Sequence, residues 1–206
     1  MADRLKTVLL FGAPGAGKGT QGSLLGAIPG YFHMSTGDMF RTLDRESELG
    51  QIFYEYSSKG ELVPDEVTLE LWHTYVHAQA ILGMYKPYSD LLILDGIPRT
   101  VAQTSLMEKY IDVLGILHLS AKNQDDMIAR LHNRALEQNR VDDAKEDVIR
   151  NRLAIYERET RPVLNQYDQT IVHEIDAIGT LGGVLSNILK VVAPIQESCH
   201  TKPAKA

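Results

Sequence analysis

The chain has 206 residues, 44% hydrophobic and 23% charged, and its 21 Lys+Arg against 27 Asp+Glu give a formal net charge of −6. That size fits one domain with small insertions and a sizeable core, and the acidic balance argues against a dedicated nucleic-acid binder. The single cysteine, Cys199, excludes an intrachain disulfide and a Cys-based metal site.

The start, Met1 to Lys6 followed by apolar Val8–Phe11, has the outline of a signal peptide. The apolar stretch breaks at Gly12, too short for a signal h-region. No segment approaches the roughly 18–20 apolar residues that span a bilayer. The expectation is a soluble, cytoplasmic chain with no membrane partner.

Val8–Phe11 reads as a buried strand, and Gly12-Ala13-Pro14-Gly15-Ala16-Gly17-Lys18-Gly19-Thr20-Gln21 follows it directly. Glycines let the backbone wrap a phosphate with successive N–H groups pointing inward. A helix predicted over Lys18–Ala27 adds its positive dipole end to that anion site. Lys18 is placed to reach β- and γ-phosphates. Gly19, rather than Ser or Thr, follows Lys18, so no hydroxyl stands where such loops ligate Mg²⁺ directly. The metal is then held by phosphates, waters and another carboxylate.

Beyond the loop, a weaker strand is predicted over Tyr31–Met34, then helices over Gly37–Leu43, Leu49–Ser58 and Asp65–Ala80. A strand at Leu91–Leu94 precedes a helix at Thr100–Tyr110 and a strand at Val113–Leu119. Helices over Gln124–Asn133 and Lys145–Thr160, a strand at Thr170–Ile175 and a helix at Leu181–Val191 complete the pattern. Such alternation indicates right-handed βαβ units and a parallel sheet covered on both faces. Two segments interrupt it, Ser35–Val63 and Asn133–Asp143. The tail from Pro194 to Ala206 is expected to be disordered.

Asp95 ends a predicted strand, where the carboxyl edge of a parallel sheet presents ligands and a carboxylate orients Mg²⁺-bound water. Arg130 and Arg134 stand four apart, so both leave one helix face together. His73 and His77 share that spacing, but with no third ligand evident they read as helix-surface packing. Trp72, Tyr75 and Val76 read as core or clamp contacts, His132 as solvated, and Cys199 as inert.

Three blocks carry a family resemblance. Residues 12–21 resemble the phosphate loop of the adenylate kinases. Ser35-Thr36-Gly37-Asp38-Met39-Phe40-Arg41 resembles their monophosphate-binding motif, and Asp95-Gly96-Ile97-Pro98-Arg99-Thr100 their Asp-Gly-Phe-Pro-Arg-Thr signature. The blocks fall in the family's order and spacing, and the match extends from residue 6 to about residue 191.

The resemblance implies a nucleoside monophosphate kinase that interconverts ATP plus AMP with two ADP. Its implied fold is α/β: a P-loop NTPase-type five-stranded parallel sheet with helices on both faces. The core would span 1–34, 64–132 and 144–193, with a helical AMP clamp at 35–63 and a short lid at 133–143. ATP would be held by Gly15, Ala16, Gly17, Lys18, Gly19, Thr20, Arg130, Arg134 and Gly179. AMP would meet Thr36, Arg41, Glu61, Leu62, Val63, Gly96, Ile97, Pro98, Arg99, Gln103, Arg140 and Arg152.

Lys18, Arg99, Arg134, Arg140, Arg152 and Asp95 would form the catalytic set. Arg150 is a less favoured substitute for Arg152, because the lid spacing carries one extra residue. Mg²⁺ would enter with ATP, and the lid lacks the cysteines of the long, zinc-binding kind, so no structural zinc is expected. ATP, AMP and ADP are the implied partners of a monomer.

Thr36 and Thr100 match adenylate kinases, whereas the related uridylate/cytidylate kinases tend to carry Ala and Asn there. Those kinases are the alternative enzyme reading, and a catalytically silent nucleotide-binding protein is the alternative of another class. Ile97 replaces the family's usual Phe. Ala135 and Asn139 stand where short lids usually have glycines, which predicts a more helical lid.

Overall fold

The computed structural model describes residues 4–121, 124–138 and 145–200, excepting the side chains of 124–126, 136–138 and 200. Five strands run β1 Leu5–Phe11, β2 Tyr31–Ser35, β3 Leu91–Asp95, β4 Ile111–Ser120 and β5 Val172–Asp176. They form one parallel sheet in the order β2-β3-β1-β4-β5. The helices are α1 Lys18–Gly26, α2 Thr36–Arg41, α3 Glu48–Ser57, α4 Asp65–Ile81, α5 Val101–Met107, α6 Gln124–Gln138, α7 Glu146–Ile155 and α8 Leu181–His200.

Side chains alternate across a strand, and both faces here are covered, so the central strands read as unbroken apolar runs. In β1, Val8 and Leu10 face one layer while Leu9 and Phe11 face the other. In β3 the same holds for Leu91 and Ile93 against Leu92 and Leu94, and all four are fully buried. The first layer packs on Leu25 of α1 and Val184, Ile188 and Val192 of α8. The second packs on Trp72, Met107 and Val163. Burial of each such aliphatic side chain is worth about 1.5–3 kcal/mol.

Register places Asp95 beside Leu10 on one side and Ser35 on the other. β1 is central, with β3 and β4 leaving it in opposite directions. A ligand crevice opens at such a switch point, beyond the carboxyl ends of the strands. The phosphate-loop sequence, the Ser35 block and the Asp95 block therefore emerge side by side.

Several boundaries differ from the sequence reading for physical reasons. β1 begins at Leu5 because Leu5 and Lys6 pair with Ile111 and Asp112, and Lys6 Nζ donates to Asp112 at 2.7 Å. β5 starts at Val172; Gln169–Ile171 is a single 3₁₀ turn, with Asp168 accepting from the Thr170 N–H at 2.9 Å. The helix expected over Lys145–Thr160 gives way after Ile155 to a wide π turn, Tyr156–Thr160, and then a 3₁₀ turn from Arg161. Pro162 lacks the N–H that would continue a regular helix there.

The disordered tail is a correction. α8 continues through Pro194 to His200, while 201–206 lie outside the described residues. Val192 is fully buried, and Ile195 packs where Gly115 leaves no side chain on β4. That apolar stripe holds the last turns in place despite the proline.

α6 extends five residues past its expected end at Asn133, into the segment read as a lid. Its inner face, Met127, Ile128 and Leu131, packs on Ile149 and Leu153 of α7. Amide exchange across 133–138 should therefore be slowed like that of the preceding turns. Ala135→Gly, at about 1 kcal/mol per exposed helical site, should raise exchange there about fivefold without moving the thermal midpoint of the core. Exchange equally fast in both proteins would contradict a helical 133–138.

Candidate active site

A cleft of about 670 Å³ opens at the carboxyl edge of the sheet. It takes in the 12–21 loop, the start of α2, the end of α3 and the segment after it, the 95–99 block, α6, α7 and the stretch before α8. Of the residues implied to bind ATP, Gly15, Ala16, Gly17, Lys18, Gly19, Thr20, Arg130, Arg134 and Gly179 all line it. So do Thr36, Arg41, Glu61, Leu62, Val63, Gly96, Pro98, Arg99, Gln103, Arg152 and Asp95. Arg140 lies outside the described residues.

Three glycines of the loop, Gly12, Gly15 and Gly17, take positive φ. Gly15 has φ +86°, and a Cβ there would meet the Met127 carbonyl at 2.8 Å. Gly17, φ +89°, is the left-handed N-cap of α1. Side-chain-bearing residues enter that conformation only with strain. The turn directs Lys18 inward, where Nζ donates to the Gly12 carbonyl at 2.6 Å and the Ala13 carbonyl at 3.2 Å.

Desolvation lowers Lys18 from 10.5 to about 8, opposed by Asp95 and assisted by Arg99, Arg134 and Arg152. Cations from three separate elements therefore act on one ammonium group, against the single carboxylate of Asp95. Such a cluster is an anion site, suited to phosphates that need several charge-assisted donors at once.

At the start of α2, Ser35 caps the helix by accepting from the Asp38 N–H at 3.2 Å, and Arg41 pairs with Asp38 at 3.1 Å. Thr36 is buried, with its hydroxyl donating to the Gly96 carbonyl at 2.9 Å. Arg99 folds back over the same block, Nε donating to that carbonyl at 2.7 Å. Phe40 and Phe53, stacked at 5.1 Å between centroids, supply an apolar wall.

One expectation changes. Ile97 is 2% exposed within the core cluster around Trp72 and does not line the cleft, so its side chain is packing. Gln103, expected to meet AMP, lines the cleft with its amide oriented by two partners: Oε1 accepts from the Arg99 N–H at 2.6 Å and Nε2 donates to Asp65 at 2.7 Å. Of the two arginines on α7, Arg152 lines the cleft, while Arg150 is exposed and paired with Glu146 at 2.6 Å.

The sequence reading missed Tyr156, which also lines the cleft. Its hydroxyl is 3.0 Å from His118 Nε2 on β4, tying the π turn after Arg152 to the sheet. Burial pushes Tyr156 up to about 12 and moves His118 down. Nothing local marks this pair, whose members are 38 residues apart.

A family model described as Adenylate kinase matches residues 10–172. Curated relatives named Adenylate kinase match most of the chain. The protein of Kocuria rhizophila is 39% identical over 189 residues, 88% of this chain and 96% of its own length. That of Flavobacterium psychrophilum is 33% identical over 192 residues, 90% of this chain and 97% of its own. A Nocardioides relative is 36% identical over 198 residues, 93% of this chain and 99% of its own.

The chain belongs to the adenylate kinase family.

Adenylate kinases generally use Mg²⁺ with ATP. The donor set here fits a cation carried by phosphates and water. Asp95, 6% exposed, faces the loop from the end of β3, and a Cβ on Gly19 would lie 4.0 Å from its Oδ2. Among the described residues no group of three His, Cys, Asp or Glu comes together as a metal cage. No helix among them is long and apolar enough to cross a membrane.

The low value of Lys18 has a signed consequence. The folded value lies below the unfolded one, so the unfolded chain binds more protons between about pH 8 and 10.5. The cost of the buried charge is full below about pH 8 and is relieved through that window. A bound phosphate reverses this by favouring the ammonium form. Above pH 8, ATP binding should therefore take up a proton, and affinity should fall by up to about tenfold per pH unit. Titration calorimetry at pH 9 in buffers of different ionisation enthalpy reads the uptake, which Lys18→Met should abolish. Binding with no buffer dependence would remove the assignment.

Proposed function

We infer that the protein catalyses ATP + AMP = 2 ADP, with the two nucleotides meeting in the one cleft. The family match over residues 10–172 carries the reading, since that span contains Lys18, Asp95, Arg99, Arg134 and Arg152. The convergence of those groups on one cavity supports it.

On this reading the 15–20 loop receives the ATP phosphates, with Arg130 and Gly179 toward the adenine. Arg41 and Arg99 hold the AMP phosphate, and Thr36, Leu62, Val63 and Gln103 face its base. An AMP phosphate oxygen is already anionic, so no general base is required. It attacks the γ-phosphorus in line; the new P–O bond forms as the bond to the β,γ-bridging oxygen breaks, and the electron pair leaves on the β-phosphate. Lys18, Arg134 and Arg152 stabilise the negative charge spread over the transferring oxygens.

Asp95 would orient the waters of Mg²⁺ carried by ATP, and that ion supplies further neutralisation of phosphate charge when bound. Residues 35–63 would act as the AMP clamp and 133–143, with Arg140, as the lid. Closure of both excludes water, which otherwise competes with AMP as acceptor. The expected state is a cytoplasmic monomer.

ADP formation from MgATP should be fast with AMP, slow with UMP, CMP or GMP, and absent without acceptor. Turnover chiefly with UMP or CMP would instead make it a pyrimidine monophosphate kinase. Lys18→Met should lower kcat by about 10²–10³ in a normally folded protein. Arg99→Ala should raise the KM for AMP and lower turnover, and a change confined to ATP would contradict its assignment.

A further inference from the structure

The most tightly specified polar group in the cleft is held from outside it. Gln103 lines the cavity although it is only 1% exposed, whereas Asp65, the first residue of α4, does not line the cavity. Asp65 Oδ1 accepts from Gln103 Nε2 at 2.7 Å, and its Oδ2 accepts from the Thr100 hydroxyl at 2.9 Å. That hydroxyl in turn accepts the Gln103 backbone N–H at 3.0 Å, capping α5. On its other side, Gln103 Oε1 accepts from the Arg99 backbone N–H at 2.6 Å.

A side-chain amide has two orientations related by a half-turn, and its partners decide between them. A carboxylate only accepts, and a backbone N–H only donates. Turning Gln103 over would set its carbonyl against the Asp65 carboxylate and its NH₂ against the Arg99 N–H, making both contacts repulsive. One orientation is therefore locked. It leaves one N–H and one carbonyl lone pair of Gln103 unused.

An N–H beside an acceptor reads a base edge with an unprotonated ring nitrogen beside an amino group. Adenine presents N1 and the 6-amino group in that pattern, and an amide can pair with it through two hydrogen bonds. A 6-oxopurine presents the reverse, a protonated N1 beside a carbonyl. Among pyrimidines, cytosine matches the adenine polarity and uracil the reverse.

We propose that Asp65 is a specificity-determining positioning residue, which locks the Gln103 amide to read an amino-bearing base and reject an oxo-bearing one on the acceptor nucleotide. The proposal rests on the reading that Gln103 faces the base of the phosphate acceptor. Asp65 sets the polarity of the edge that is read, and the cavity walls set the size of the ring.

The test compares kcat/KM for AMP and inosine monophosphate, which differ only at this edge, with MgATP as donor. Asp65→Asn keeps the shape but can present either a donor or an acceptor to Gln103, so one of the two contacts that fix the amide is lost and only the Arg99 N–H still opposes its turning. The AMP-to-inosine monophosphate ratio should fall about tenfold or more, since a site built for one polarity discriminates strongly only while its polar groups stay fixed. The change should appear in the KM for the monophosphate, with the KM for ATP unmoved. Asp65→Ala, which removes the carboxylate altogether, should lower the ratio in the same direction.

A merely structural role would depress both monophosphates together and leave the ratio unchanged in a protein of lower thermal midpoint; that result overturns the lock. The unaltered protein supplies a second check that needs no variant. AMP should exceed inosine monophosphate and CMP should exceed UMP, and a reversed order in either pair refutes the proposal. Failure of the unaltered protein to phosphorylate AMP would overturn the kinase reading and the lock with it. Normal AMP turnover with an unchanged ratio in both variants would overturn the lock alone.

Discussion

A part-buried ammonium group that shares a cleft with three guanidinium groups disfavouring its charge, and with one carboxylate favouring it, is the constraint on which the site depends. Lys18 is in that position, fastened to two carbonyls of its own loop while Arg99, Arg134 and Arg152 disfavour its charge. The glycine turn cannot release it without losing those bonds, and the sheet edge cannot relax away because β1 is the central strand. What completes the site is an anion with several oxygens. On the proposed function, a transferring phosphoryl group would meet these cations together in the one cleft.

The elements that bear these cations are tied by hydrogen bonds that span long stretches of chain. Asn151 of α7 donates to the Lys59 carbonyl at 2.7 Å, joining the helix of Arg152 to the segment after α3. His118 and Tyr156 join the same helix's exit to β4. Asp65 joins α4 to the residues that follow Arg99. The last two ties fasten cleft-lining segments to the sheet and to α4. The width of the π turn at Tyr156–Thr160 lets Tyr156 meet His118 while Pro162 redirects the chain.

Much of this was legible along the chain because it depends on neighbours in sequence. The apolar runs of β1, β3 and β4, the glycine spacing of the loop and the four-residue step from Arg130 to Arg134 are local patterns with local causes. Helix ends were less legible: Pro194 looks like a stop until Val192 and Ile195 are seen packed on the sheet. Ile97 sat in a binding signature, yet its side chain packs in the core cluster around Trp72, a neighbour distant in sequence.

The sequence by itself determined the parallel α/β fold, the anion-binding loop and the charged side chains that surround it. Periodicity, glycine conformational freedom and residue chemistry are properties of short segments. Only the tertiary structure decided which way the Gln103 amide points and that Tyr156 is held by His118. Those outcomes rest on the direction of donors and acceptors brought together from distant segments. Direction exists only once the segments have packed.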